Sequence, residues 1–362
     1  MSSSLFSPFR LRDLELRNRI MLSPMCQYAA ADGCAGDWHL MHLGQYMVSG
    51  LGLAMVEMTN VQANGRITPH CLGLYNDACE TALGRVVDYC RGLGDTPMAV
   101  QLAHAGRKAS SRPPWQGRER LSADEGGWQT VGPSAISHND DAPPPVELTR
   151  GDITQLIDDF VAATHRAERI GFDAIELHGA HGYLLHQFLS PLSNQRGDEY
   201  GGSRENRMRL PLEVFDAVRA VWPGHKPLGM RLSAIDWADG GLTIDDTIVM
   251  ANALKSRGCD WIDVSSGGIS YAEKIETGPG YQVGFAEAVR AQTGVNTIAV
   301  GMITESRQAE QIIASGQADM VALARGLLFN PRWAWRAAIE LGEEAEYPDR
   351  YQRCAPANLN AF

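Results

Sequence analysis

A closed (β/α)8 barrel is the fold class this 362-residue sequence predicts. Three observations carry the prediction. Eight short apolar runs, rich in β-branched residues, are spaced along the chain. Segments of helical period separate them, so strand and helix alternate as in a parallel sheet. No Pro/Gly/Ser linker divides the chain, so one barrel over residues 1–362 is expected. A doubly wound sheet is the alternative, and eight repeats over this length favour closure.

The strand-like runs are "RIMLSP" (19–24), "LAMVEM" (53–58), "PMAVQLA" (97–103), "FDAIELH" (172–178), "PLGMRLS" (227–233), "DWIDVSS" (260–266), "NTIAVG" (296–301) and "ADMVALA" (318–324). Between them, 154–171 and 243–258 carry apolar residues at helical spacing and end on Gly171 and Gly258; a closing glycine is a helix stop signal. One connection is abnormally long. Residues 110–150, after the third strand, are rich in Pro, Gly and Asp. A loop of that size is usually functional, and its place puts it over the barrel mouth as a lid.

Composition narrows the function. The net charge is −11, which argues against nucleic-acid or membrane-surface binding, since both need basic patches. The seven cysteines are scattered, with no CxxC pair, so clustered-thiolate metal sites and a disulfide framework are not expected, and a reducing cytoplasm is. The N-terminus has no basic region followed by an apolar run, and no stretch of about 18 apolar residues exists to cross a bilayer.

Active sites of such barrels form at the C-terminal ends of the strands. The first strand runs into Ser23, Pro24, Met25, Cys26, Gln27 and Tyr28; the third carries Gln101 and ends at His104; the fourth ends at His178, with His181 and Tyr183 just beyond; the fifth carries Arg231. Ser265 and Ser266 follow the sixth, Gly301 ends the seventh, and the eighth runs into Ala324 and Arg325. Glycine N–H groups and a cation after strands 7 and 8 suit a phosphate. Plain turn glycines and a surface arginine are the bland reading. Arg231 needs an anionic partner, either a reduced flavin edge or a structural carboxylate. Gln101 offers a donor and an acceptor, as a pyrimidine edge requires.

His178 and His181 leave three readings open: zinc ligands, packed core histidines, or paired N–H donors to one oxygen. The strand ends supply no further Asp or Glu as a ligand, which counts against a metal. Tyr183, with an ordinary phenol pKa of about 10, can deliver a proton.

Together "RNRIMLSPMCQY", "QLAHAGRKA", "IELHGAHGYLLHQFLSPLSNQRGDEYGGSRENR" and "AVGMIT" resemble the Old Yellow Enzyme family of FMN-dependent ene-reductases. Cys26 in "SPMCQY" is similar to the subgroup of thermophilic-type ene-reductases and bacterial xenobiotic reductases. The resemblance implies FMN held by Ser23, Pro24, Met25, Cys26, Gln101, Arg231, Gly301, Ala324 and Arg325, with Asn60 after the second strand at the flavin edge. It implies His178 and His181 on the substrate oxygen, Tyr183 as proton donor, Tyr28 as a further substrate contact, and Cys26 tuning the flavin. It also implies a homodimer or homotetramer in which Arg353 enters a neighbouring subunit's site. NADPH or NADH would be the reductant, and an α,β-unsaturated carbonyl or nitroalkene the acceptor. Nitro-esters, nitroaromatics and hydroxylated heteroaromatics are alternative acceptors. A metal-dependent barrel hydrolase and a non-catalytic phosphate-ligand barrel are the readings from other classes.

Overall fold

The computed structural model describes residues 2–139 and 142–355. Eight parallel strands close into a barrel in chain order: β1 Ile20–Leu22, β2 Leu53–Asn60, β3 Met98–Ala103, β4 Ala174–Gly179, β5 Leu228–Ser233, β6 Trp261–Ser265, β7 Asn296–Ala299 and β8 Met320–Leu323. β8 pairs with β1, Val321 opposite Ile20, and this closing pair replaces the doubly wound alternative. Ten helices are present among the described residues: α1 Asp37–Met47, α2 Asp77–Arg91, α3 Arg150–Ile170, α4 Leu184–Leu189, α5 Arg204–Val221, α6 Ile244–Ser256, α7 Val283–Thr293, α8 Ser306–Ala314, α9 Arg325–Phe329 and α10 Trp333–Leu341. None is long and apolar enough to cross a membrane.

Element ends differ from the expectation for local reasons. The first run is strand only over three residues, because Pro24 has no N–H to continue the ladder. Asn60 is the last residue of β2 rather than beyond it, and β5 continues two residues past Arg231 to Ser233. α3 begins at Arg150, ahead of the expected 154, because Thr149 caps it: its Oγ1 accepts from Asp152 N–H at 3.2 Å, and Asp152 Oδ2 accepts from Thr149 N–H at 2.8 Å. Gly171, in left-handed backbone, ends it.

The strand faces explain the packing. Outward residues such as Ile20, Val56, Val100, Ile175, Leu228 and Val264 meet the helices, so both sides of the sheet are apolar, as in buried parallel strands. The floor of the barrel is a separate cluster of Met21, Leu53, Met55, Trp261, Ile298 and Met320, plugged from below by Leu11 and Leu16. Those two leucines come from an antiparallel hairpin, Phe9–Leu11 with Leu14–Leu16, that the strand pattern did not reveal. With the floor sealed, only the C-terminal mouth is open to a ligand.

The 110–150 segment is fastened over that mouth. Its described part contains two short paired strands, Val131–Gly132 and Val146–Glu147. Arg107 donates to Ile136 O at 3.1 Å and to Ser137 O at 3.2 Å, and Arg196 donates to Pro133 O at 3.0 Å and Leu148 O at 2.7 Å.

Gly229 on β5 lies opposite Trp261 on β6. A Cβ there would stand 2.0 Å from the indole Cε2, so the floor is packed around a missing methyl. Gly229→Ala should lower stability by about 2 kcal/mol, as overpacked cores do. Urea unfolding measures this, and an unmoved midpoint would show that the indole shifts freely.

Candidate active site

The turn after β4 brings the two histidines and the tyrosine together. The His178 and His181 ring centroids are 5.1 Å apart and nearly perpendicular, and the Tyr183 ring is 5.0 Å from His178. His181 and Gly182 both take left-handed backbone, with φ of 58° and 71°. Only glycine fits at 182, because a Cβ would meet Gly268 O at 2.0 Å. α4 starts directly after Tyr183.

A backbone hydrogen bond sets the His178 tautomer. His178 Nδ1 accepts from Ala180 N–H at 3.4 Å, so its proton sits on Nε2. His181 Nε2 lies 2.7 Å from Ser265 Oγ. The Ser265 hydroxyl also donates to Gln282 Oε1 at 3.4 Å, beside Ser266, which donates to the same oxygen at 2.6 Å. Burial first, and the Arg231 charge second, hold both imidazoles well below the ordinary 6.5. Each is therefore a neutral ring with one N–H to offer. Burial pushes the Tyr183 phenol well above 10, so it stays protonated, and Lys108 Nζ stands 5.2 Å over its ring.

The other predicted residues fall into two neighbouring groups. A cavity of about 400 Å³ is lined by His181, Arg231, Gly301, Ala324 and Arg325. A second, of about 340 Å³, is lined by Tyr28, Tyr183, Lys108 and the 110–150 segment. Cys26 and Tyr183 pack against one small apolar cluster, Met58, Ala103, Ala105 and Ala109. The Cys71 thiol, then burial, pushes the Cys26 thiol up. Burial also raises the Tyr28 phenol; its ring meets Trp115 edge-on at 5.6 Å. Arg231 Nη1 donates to Ser23 Oγ at 3.4 Å; Pro24 and Met25 follow on the same loop. Asn60 is buried and donates from Nδ2 to Leu72 O at 2.8 Å, while its Oδ1 has no partner. Arg353 is not brought to this group. It is exposed on a C-terminal turn, Asp349–Cys354, whose Tyr351 packs against Trp335. Residues 356–362 of that segment lie outside the described residues.

Four residues that position the site were not singled out in the sequence. Asp263 faces Arg231, with Oδ2 3.2 Å from Nε, so the expectation that no carboxylate stands near these strand ends is corrected. Glu176 accepts from Gln101 Nε2 at 2.8 Å and from Trp261 Nε1 at 3.0 Å. Glu57, paired with His39 at 3.3 Å, accepts from Gln27 N–H at 3.0 Å and so holds the Cys26–Tyr28 loop. His186 Nε2 meets Asp236 Oδ1 at 2.9 Å with both side chains fully buried. All four are acids or a histidine inside otherwise apolar sequence runs, and that is the signal that could have found them. Among the described residues no three His, Cys, Asp or Glu side chains converge as a metal-ligand set.

The residues present suit a flavin mononucleotide. Arg231 and Arg325 line one cavity at the barrel mouth, and Gly301, at φ 125°, leaves a cradle there: a Cβ would lie 2.9 Å from Gln282 Nε2. The first turn of α9 begins beside it, where free backbone N–H groups favour an anion. Residues 4–344 match the NADH:flavin oxidoreductase / NADH oxidase family. The chain belongs to this family, that of the Old Yellow Enzymes. It is 44% identical over 355 residues to the NADPH dehydrogenase of Geobacillus thermodenitrificans, covering 98% of this chain and 99% of that one. Identity to the NADPH dehydrogenase of Bacillus licheniformis is 45% over 351 residues, covering 96% and 98%. Among solved structures, morphinone reductase superposes with a TM-score of 0.78 at 29% identity, covering 96% of this chain and 92% of that one. A morphinone reductase complex with tetrahydroNAD superposes with a TM-score of 0.75 at 29% identity, covering 95% and 92%. Membership makes this Old Yellow Enzyme relative an FMN-dependent, NAD(P)H-oxidising oxidoreductase, and replaces the hydrolase and the non-catalytic readings.

Glu176 links the site to stability. Burial first, then the Asp263 charge, pushes its carboxyl up to about 8 from an ordinary 4.5. The folded chain then holds a proton that the unfolded chain releases. The stabilisation is complete below about pH 4.5 and is lost as pH rises through about 8. Glu176→Gln should flatten the fall in thermal stability of the apoprotein between about pH 5 and pH 8. Equal slopes in variant and wild type would place the titration elsewhere.

Proposed function

We propose that this enzyme reduces activated C=C bonds, those of α,β-unsaturated carbonyls and nitroalkenes. The observation that carries the reading is the pair of neutral imidazoles, each with one N–H, beside a phenol that cannot ionise at neutral pH. His178 Nε2–H and His181 Nδ1–H would grip one carbonyl or nitro oxygen and draw charge onto it, as an oxyanion hole does. A metal could polarise the same oxygen, but a paired donor set needs none. Polarisation leaves the β-carbon short of electrons. FMN, when bound, would supply hydride there. Tyr183 gives its proton to the α-carbon, and its hydroxyl has no competing hydrogen-bond partner among the described residues. Ser23, Pro24, Met25, Cys26, Asn60, Gln101, Arg231, Gly301, Ala324 and Arg325 would hold FMN. Tyr28 would bound the substrate, and the 110–150 segment would act as the lid. NADPH is the reductant we propose, since the relatives are NADPH dehydrogenases; morphinone reductase has been captured with a reduced NAD analogue.

Nitro-esters, nitroaromatics and hydroxylated heteroaromatics present an oxygen to the same two donors, so comparing acceptors separates these substrates.

Tyr183→Phe should slow enone reduction by roughly 10²-fold or more, as loss of a general acid does, while flavin reduction by NADPH continues. Stopped-flow measurement of each half-reaction tests it; equal slowing of both would remove the proton-donor role. His178→Ala should weaken binding of a para-substituted phenol, followed through its long-wavelength charge-transfer band, by about tenfold. With both imidazoles held neutral, wild-type phenol binding should show no inflection near the ordinary histidine pKa of about 6.5. A clear step there would mean that one ring is charged in the resting site.

A further inference from the structure

Two cysteines that the proposed reaction does not use meet where the β1–α1 connection touches the start of α2. Cys34 Sγ and Cys79 Sγ are 4.0 Å apart. Cys34 is half-buried, whereas Cys79, at the third position of α2, is fully buried.

Backbone bonds hold both residues in place. Cys34 closes a two-residue hairpin: Ala31 N–H donates to Cys34 O at 3.1 Å, and Cys34 N–H donates to Ala31 O at 2.8 Å. The two tip residues, Asp32 and Gly33, take left-handed backbone, with φ of 48° and 82°, as a tight hairpin turn requires. That tip is seated against the chain ahead of α2. Gly33 O accepts from Gly73 N–H at 2.9 Å, and Asp32 O accepts from Tyr75 Oη at 2.7 Å and from Cys79 Sγ at 3.7 Å. A Cβ on Gly33 would lie 3.0 Å from Cys79 Sγ, so the tip lies directly against that thiol. On the other side, Asn76 Oδ1 caps α2 by accepting from Cys79 N–H at 2.8 Å.

Cysteines also pack as small apolar residues, but these two differ in a way that suits chemistry between them. Burial, then the neighbouring Cys34 thiol, pushes the Cys79 thiol up to about 11. It therefore stays protonated at neutral pH and slow toward a dissolved oxidant. Cys34 is the sulfur such an oxidant reaches first, with Cys79 behind it to resolve the product.

We propose that Cys34 and Cys79 are an oxidation site, closing reversibly to a disulfide that staples the β1–α1 connection to α2. Hydrogen peroxide is the oxidant. The Cys34 sulfur attacks one peroxide oxygen, the O–O bond breaks, and a sulfenic acid and one water result. The Cys79 sulfur then displaces hydroxide from the sulfenic sulfur, and its own proton leaves with that hydroxide as a second water. Two thiols give up two electrons in all, and one peroxide becomes two waters. A small dithiol reverses the step by exchange. The sulfurs must close from 4.0 Å to the roughly 2 Å of a disulfide, which rotation of the two side chains supplies. The stapled connection also carries Cys26 and Tyr28, so the state of this pair bears on a loop of the candidate active site.

The test takes the FMN-loaded full chain, adds one equivalent of hydrogen peroxide, and alkylates the thiols in denaturant. Untreated protein should present all seven cysteines as thiols. Peroxide should remove two of them, and dithiothreitol should restore both. Fragmentation of the digested protein should show Cys34 joined to Cys79. The link should raise the thermal midpoint by about 5 °C, since it closes a long loop of the unfolded chain. In Cys34→Ala every thiol should survive the same treatment, and the midpoint should not move. A link between Cys26 and Cys71, whose thiols also interact, overturns the proposal. So does oxidation that stops at a sulfenic or sulfinic acid on Cys34, or a loss of two thiols that persists in Cys34→Ala. A Cys34–Cys79 link that leaves the midpoint unmoved overturns the staple.

Discussion

The backbone of His181 and Gly182 makes almost no bond to other backbone. His181 N–H donates to Ser233 Oγ at 3.0 Å, and its carbonyl accepts from Lys108 Nζ at 2.8 Å. Gly182 N–H donates to His186 Nδ1 at 2.8 Å, and its carbonyl accepts from Gln187 Nε2 at 2.6 Å. Left-handed backbone at a histidine is costly, and a buried peptide group without a partner is costlier still. Four side chains from three parts of the chain meet both demands. His186 is itself fixed by Asp236, whose other oxygen accepts from Ser190 and from Leu242 N–H. The turn that aims the two imidazoles is thus locked from the loop after β3, from the end of β5 and from α4 together. The direction of both imidazole N–H groups depends on that lock.

The electrostatics follow from burial. The barrel interior holds Arg231, Asp263 and Glu176, two acids to one base. Asp263 is paired with Arg231, and burial raises both carboxyls, so one proton is retained at Glu176. A protonated Glu176 leaves Asp263 as the carboxylate that faces Arg231. The Arg231 charge, beside His178 in the strand register, helps keep both histidines neutral. One cation therefore serves two ends: it faces the place where an anionic ring edge would lie, and it prevents the substrate donors from becoming cations that would bind an anion indiscriminately.

Much of this was legible from the sequence. All eight strands could be read because parallel strands buried on both faces are continuous apolar runs, and His178, His181 and Tyr183 stood out because polar residues end such a run. What stayed hidden is also physical. Asp263 and Glu176 lie inside runs read for their apolar neighbours, "DWIDVSS" and "FDAIELH". Their partners, Arg231 and Gln101, come from adjacent strands, and only the register of a closed barrel sets them side by side. The N-terminal hairpin has three-residue strands, too short for a period to show. The partner of His181 Nε2 is Ser265, two strands away, whose hydroxyl also reaches Gln282.

On the proposed function, substrate choice would then fall to the 110–150 segment rather than to the barrel. The proposed catalytic group sits on strand ends and on a turn that cannot move without breaking several buried bonds. The 110–150 segment is different in kind. It is tied down in its middle and at its C-terminal end by Arg107 and Arg196 through backbone carbonyls of Pro133, Ile136, Ser137 and Leu148, contacts indifferent to side-chain identity. Its tip, Pro113 to Glu119, is mostly exposed. Substitutions at the tip can therefore reshape the cavity wall without touching the turn that holds His178, His181 and Tyr183. A fold that fixes the oxygen grip through buried polar bonds and leaves the cavity roof to backbone-anchored loop keeps one chemistry while varying what it acts upon.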